Sequence, residues 1–373
     1  MKAGWQRKKL ADVLQKTETV NPQQSPESEF DYIDVSSVSN ITYQIESTQR
    51  LKGVDAPSRA RKLVLENDVL FATIRPTLQR IAIVPEYLNG QICSTGYFVL
   101  RPKPEIDHRF LFYALFCEEF CRQIEVLQKG ASYPAVTDGD VRGQAIAFPP
   151  LPEQHRIVAL LDEAFNGIAT AKANAERNLQ NARALFESHL QSVFTERGEG
   201  WVAKPFDDCL EDVRYTTKIQ RKEFLENGEF PVVSQEAEFI NGYWNNSADV
   251  FTVAKPVVIF GDHTQVLKYI DFDFVLGADG VKILSPKPFL HPKFFFYALR
   301  AAPLKSLGYA RHYRLLKELR IYHPHLGQQA AISEQLDALS EETQRLESLY
   351  QRKLAALDAL KQSLLHQAFS GAL

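Results

Sequence analysis

This chain carries the same long stretch twice, and that limits its possible folds more than any other feature. Residues 151–194 align without a gap to residues 326–369, at a constant offset of 175. Gln154 matches Gln329, Ile157 matches Ile332, Leu161-Asp162 matches Leu336-Asp337, Arg177 matches Arg352, Leu185 matches Leu360 and Phe194 matches Phe369. Apolar residues recur at steps of mainly three and four in both copies: Ile157, Leu161, Ala164, Ile168, Ala171, Ala175, Ala182 and Leu185, then Ile332, Leu336, Leu339, Leu346, Tyr350, Leu357, Leu360 and Leu364. That period is the heptad seam of a long helix, and a polar residue interrupts it at Asn178 and at the equivalent Lys353.

A second repeated block precedes each helix. Gly4-Trp5, Lys8 and Asp12 recur as Gly200-Trp201, Lys204 and Asp208. Gly96, Leu100 and Pro102-Lys103-Pro104 recur as Gly280, Leu284 and Pro286-Lys287-Pro288, and Phe112-Tyr113-Ala114-Leu115 recurs as Phe296-Tyr297-Ala298-Leu299. The chain therefore duplicates one unit, a globular part followed by a long helix. Its 373 residues exceed what a single core organises. The boundaries fall at 1–150 and 199–325 for the globular parts, and at 151–198 and 326–373 for the helices.

Within the first globular part, β-rich runs at 68–74, 80–84 and 97–100 precede an aromatic helix at 110–127. The second offers runs at 257–260, 266–270 and 281–284 and a helix near 292–306. The class is α+β, each globular part an α/β mixture with non-alternating order. Pro152 suits the first turn of its helix, and Gly198 and Gly200 suit its end. A continuous helix from 153 to 194 would run on the order of 60 Å, too long to hide against one small domain. Because the termini of a domain usually lie close together, the second helix is expected to start where the first finishes. Two long antiparallel coiled-coil helices would then join the globular parts about a pseudo-two-fold axis. The plainer alternative packs the heptads against the globular parts alone.

With 43 Lys and Arg against 46 Asp and Glu, the net charge is −3. A DNA partner would have to meet a locally basic face, or another subunit would share the neutralisation of phosphates. Four cysteines are too few for a disulfide scaffold, and Cys117 and Cys121, four apart without a CxxC, read as buried thiols rather than metal ligands. The opening MKAGWQRKKLADVLQ lacks the apolar core of a signal peptide, and no apolar run is long enough to span a bilayer, so a cytoplasmic chain is expected. Glycine-rich nucleotide loops, HExxH, Asn-Pro-Pro-aromatic and Glu/Asp-Xaa-Lys triplets are all missing. Neither catalysis nor a bound cofactor or metal is expected of this chain.

The segments that differ between the copies carry donors suited to phosphates and base edges. In the first globular part these are Arg59, Arg61 and Lys62, Arg75 and Arg80 around Pro76-Thr77, and Ser132-Tyr133. In the second they are Arg214, Thr217, Lys218 and Arg221, Ser234-Gln235, His263 and Lys268, and Arg311-His312 with Arg314. Arg and Lys suit phosphate and guanine, Gln suits adenine, and Ser, Thr and His are tolerant polar contacts. Taken singly each cluster reads more readily as a solvated loop than as a reader; their recurrence beside strands in both copies puts the two readings level. Asp262-His263 lacks an accompanying nucleophile and reads as structural or DNA-contacting.

These features resemble the specificity subunit of Type I restriction-modification systems. Pro149-Pro150-Leu151-Pro152-Glu153-Gln154, Arg156-Ile157 and Leu161-Asp162 look like the central conserved region of that family. Residues 354–369, ending Gln362-Ser363-Leu364-Leu365-His366-Gln367-Ala368-Phe369, look like its distal one. Residues 59–84 and 259–284 look like its two target recognition domains. Leu326-Gly327-Gln328-Gln329 departs from the Leu-Pro-Glu-Gln start, which implies a looser first turn for the second helix.

The resemblance implies a non-catalytic reader of a bipartite double-stranded DNA target. It would hold two methyltransferase subunits that use S-adenosylmethionine on adenine N6, and recruit restriction subunits. A coiled-coil scaffold joining two protein-binding modules is the alternative from another class, and a divergent methyltransferase is a third.

Overall fold

The computed structural model describes residues 4–130, 132–278, 280–305, 307–308 and 310–373. The chain divides into two compact units. The first comprises residues 1–174 with 353–373, and the second comprises residues 175–352.

The first unit carries β1 (Gln6–Lys9), α1 (Leu10–Val13), β2 (Glu29–Ile33), β3 (Gln49–Lys52), β4 (Ala60–Leu63), β5 (Val69–Ala72), β6 (Ile81–Ile83), β7 (Ile92–Ser94) and β8 (Tyr97–Leu100). Then follow α2 (His108–Ala114), α3 (Glu118–Leu127), α4 (Asp138–Arg142), β9 (Ala145–Phe148) and the start of α5 (Leu151–Glu196). One sheet runs β3-β2-β7-β4, with β2 and β7 parallel; a second runs β6-β5-β8, all antiparallel; and β1 pairs with β9. Strand β5 is apolar throughout because it is buried on both faces. Val69 and Phe71 enter the core shared with α2, α3 and α5, while Leu70 and Ala72 enter the core beneath β7.

The second unit repeats this plan with β10 (Val202–Pro205), β11 (Leu210–Glu211), β12 (Lys218–Ile219), β13 (Phe230–Val233), β14 (Gly242–Trp244), β15 (Val250–Phe251), β16 (Val257–Gly261), β17 (Leu267–Ile270), β18 (Phe274–Gly277) and β19 (Val281–Pro286). It continues through α6 (Pro292–Arg300), α7 (Tyr313–Lys317), β20 (Arg320–His323) and α8 (Leu326–Ser370), whose last part belongs to the first unit. Here β13 and β18 are parallel, as β2 and β7 are, and β16 sits between β17 and β19 as β5 sits between β6 and β8. β10 pairs with β20 as β1 pairs with β9.

One buried side chain ties each long helix to its globular part. Gln154 accepts from the Asp107 N–H at 2.8 Å and donates to the carbonyls of Glu105 at 2.9 Å and Pro149 at 2.8 Å. Gln329 accepts from the His291 N–H at 2.7 Å and donates to the carbonyls of Phe289 at 3.0 Å and Pro324 at 2.8 Å. Tyr113 donates to Asp162 at 2.6 Å, and Tyr297 to Asp337 at 2.5 Å. Phe110 packs on Trp5 and Phe369, as Phe294 packs on Trp201 and Phe194.

Several expectations are corrected. The aromatic helix at 110–127 is two helices, because Cys117 is extended (φ −67°, ψ 144°) and the break lets Phe110 and Phe120 reach the same core. The helix expected at 292–306 ends at Arg300; Ser306 lies outside the described residues. The seam also shifts. Leu185 and Leu360 are 51% and 47% exposed, while Phe186 and Leu190 are buried, and Asn178 and Lys353 point outward as Leu179 and Leu354 turn inward. A straight helix drifts against a strict 3.5 repeat, so a step of four replaces a step of three. The first turn of α8 is well formed, since the buried Gln329 anchors it without the proline. Cys93 and Cys209 are buried and Cys117 and Cys121 half-buried; burial pushes the Cys93 thiol up to about 12 and those of Cys117 and Cys209 to about 11.

Candidate nucleic-acid interface

In each unit the turn after the central strand meets a loop that leads into a short helix. Thr73 and Asp262 open equivalent turns, each donating its backbone N–H to the repeated glycine, Gly96 at 2.9 Å and Gly280 at 2.7 Å. The turns close at Gln79 and Gln265, just before the residues whose carbonyls accept from Ala72 and Gly261. Both glutamines are left-handed, with φ of 51° and 59°, a conformation that few residues other than glycine adopt.

In the first unit the facing residues are 129–130 and 132–136. Arg75 donates its N–H to Pro134 at 2.7 Å, and Val136 donates to Thr73 at 2.9 Å. The Arg75 guanidinium lies 5.0 Å from the Tyr133 ring, and Tyr133 is 71% exposed. Stacked this way, a cation and an aromatic face are presented together to solvent. Ser132 is exposed beside them. In the second unit the facing loop leads into α7. His312 donates its N–H to the Asp262 carbonyl at 2.7 Å, and Tyr313 donates to the Asp262 carboxylate at 2.7 Å. Arg311 and Arg314 stand exposed on either side.

The remaining candidates divide into outward and inward groups. Arg59, Arg214, Thr217, Lys218 and Arg221 are exposed, and Arg61 is half-buried and donates to the Ala60 carbonyl. Lys218 lies 5.2 Å from the Tyr215 ring. The Thr217 hydroxyl and the Trp244 indole hold Asp249 below the usual carboxylate range. Five residues expected to offer outward donors instead turn toward the protein itself. Lys62 donates to the Tyr97 carbonyl and, at 2.7 Å, to Asp138. Arg80 donates to the Val38 carbonyl. Lys268 is buried, donating to the carbonyls of Glu238 and Phe239 and to Asn241, and burial pushes its ammonium down to about 8. Ser234 is buried with its N–H on Asn241, and the buried His312 ring accepts from the Leu307 N–H. Burying an unpaired cation is costly, so these side chains act first as anchors of the loops above them. Gln235 and His263 lie half-buried between the groups, the Gln235 side chain accepting from the His263 N–H at 3.3 Å. The donor chemistry of the sequence missed Thr73 and Gln79, because their part depends on backbone pairing.

The chain matches the family described as Type I restriction modification DNA specificity domain over residues 2–178 and again over 199–353. It belongs to that family. The two matched stretches correspond to the two copies of the duplication. Curated relatives include the Type I restriction enzyme HindI specificity subunit of Haemophilus influenzae, 26% identical over 137 residues, which are 36% of this chain and 30% of the relative. The EcoDI specificity subunit of Escherichia coli is 26% identical over 145 residues, 39% of this chain and 31% of the relative. The chain thus spans about a third of the length of these curated relatives. Among solved structures, a chain described in work on the complex assembly and conformational transition of the type I R-M system superposes with a TM-score of 0.85 at 28% identity, covering 100% of this chain and 99% of that one. The HsdS subunit from Thermoanaerobacter tengcongensis superposes with a TM-score of 0.71 at 28% identity, covering 100% and 98%. DNA sequence specificity is therefore the work of this chain's family.

Proposed function

We propose that this chain is the non-catalytic reader of a Type I restriction-modification assembly and recognises a bipartite double-stranded DNA target, one half-site per globular part. The observation that carries this reading is the junction built twice, with the same anchors and different residues between them. A contiguous target would need one such surface; two half-sites need two.

In this reading α5 and α8 form an antiparallel coiled coil that fixes the gap between half-sites, as dimer geometry fixes half-site spacing in two-fold regulators. Contacts within each unit support it. In the first, Arg156 near the start of α5 donates to the Leu373 carbonyl at 3.1 Å, and Lys172 pairs with Asp358 at 2.6 Å. In the second, Arg183 pairs with Glu347 at 3.0 Å. Two methyltransferase subunits, using S-adenosylmethionine to modify adenine N6, are the partners, joined by restriction subunits, and the assembly works in the cytoplasm. The net charge of −3 fits an arrangement in which partner subunits share the neutralisation of phosphates.

The test is selection from a pool of randomised duplexes by the chain in complex with its methyltransferase. Two short conserved blocks separated by a constant unconserved gap are expected. A single contiguous block, or no enrichment, overturns the reading.

A further inference from the structure

Between the matched anchors of the two turns the units differ completely. Thr73 and Gln79 enclose Ile74-Arg75-Pro76-Thr77-Leu78, whereas Asp262 and Gln265 enclose only His263-Thr264. The frame around these segments is otherwise held alike. The opening residue is tied to Gly96 or Gly280, and the closing glutamine is left-handed in both. Each closing side chain also reaches beyond its turn, Gln79 to the Cys121 sulfur at 3.2 Å and Gln265 to the Lys305 carbonyl at 3.2 Å. Strained backbone of this kind persists where the surroundings over-determine it, and it collects at functional sites. Two descendants of one unit have kept the strained frame and exchanged everything inside it.

We infer that residues 74–78 are the specificity-determining segment of the first half-site, and that Gln79 is a positioning residue for it. The inference rests on the proposed DNA-reading function and assigns that function to particular residues. Arg75, Thr77 and Leu78 are exposed along the first turn, and the guanidinium of Arg75 is stacked on Tyr133. Arginine is suited to the O6 and N7 of guanine, the threonine hydroxyl to either base edge, and an apolar side chain to the thymine methyl. The second turn is shorter, and its Thr264 hydroxyl is already spent on the Gln235 carbonyl at 2.6 Å, so the two half-sites should differ in composition. By contrast Arg80 and Lys268, just beyond the turns, have their donors engaged by backbone carbonyls and should carry no base preference of their own.

The experiment uses the full chain in complex with its methyltransferase, tritiated S-adenosylmethionine, and duplexes carrying every single-base change across both half-sites. Three variants are compared with the parent: residues 74–78 replaced by the His-Thr pair, Arg75→Ala and Thr77→Ala. The replacement should rewrite base preference in the first half-site and leave the second as it was. Arg75→Ala or Thr77→Ala should lower discrimination at one or two positions of the first half-site by roughly 5- to 150-fold, with unchanged preference in the second. If both point variants keep the parental discrimination, or if any of the three alters the second half-site instead, the assignment is wrong. If the parent itself discriminates no bases, the DNA-reading function fails, which is a separate result.

Discussion

Replacing Gln154 by alanine should loosen the start of α5 from the first globular part without touching a single residue of the reading turns. The side chain is fully buried and makes three hydrogen bonds, one to an N–H and two to carbonyls. Each is worth about 1 kcal/mol net, and losing the bond to Pro149 leaves a buried carbonyl unsatisfied, so the loss should reach roughly 3 to 5 kcal/mol. Leucine should not rescue it, since the three orphaned backbone groups remain. Glutamate should be worse than leucine, because its carboxylate would face the carbonyls of Glu105 and Pro149. Gln329→Ala should cost the same in the second unit, where the three bonds recur with different partners. A two-unit chain need not unfold in one step, so a single midpoint is a poor gauge. Hydrogen exchange at the Asp107 and His291 amides reads each unit separately. Gln154→Ala should strip protection from Asp107 and spare His291, and the double variant should show the sum of the two effects. If Asp107 keeps its protection, or the loss stays below about 1 kcal/mol, the pinning role is refuted.

Tyr113→Phe and Tyr297→Phe each delete a hydrogen bond to a carboxylate, Asp162 or Asp337, and should each destabilise by about 1.5 to 3 kcal/mol in urea unfolding. Arg101 holds the buried Asp68 through two bonds of 2.8 Å, so Arg101→Ala should cost about 3 to 5 kcal/mol, more than Asp68→Asn, because it leaves a buried carboxylate unpaired. Lys268 releases its proton in the folded protein near pH 8, whereas in the unfolded chain it holds it to about 10.4. In that window the unfolded state binds more protons, so the second unit should gain stability as pH rises from 8 to 10, and Lys268→Met should flatten that slope in pH-dependent unfolding.

The duplication, the long helices and the two buried glutamines were legible because they are local identities at fixed spacing. Gln154 and Gln329 stand out on alignment alone. The seam beyond Ala182 was not, because alternation of three and four leaves Leu185 and Phe186 equally eligible until the partner side chains decide. Strands β2, β7, β13 and β18 were missed since their parallel pairing, β2 with β7 and β13 with β18, is set by contacts far apart in sequence. The donors of the candidate interface could be enumerated from composition but not sorted. Lys268 and Arg311 read alike as basic residues, and only the fold separates a buried anchor from an exposed cation.

Mapping methylated adenines across a host genome, with this chain present and absent beside its methyltransferase, tests the central claim most directly. N6-methyladenine is expected at an interrupted motif with two defined blocks, only when the chain is present, and Arg75→Ala should blur one block alone. Methylation that persists without the chain, or a motif with no interruption, would contradict the account.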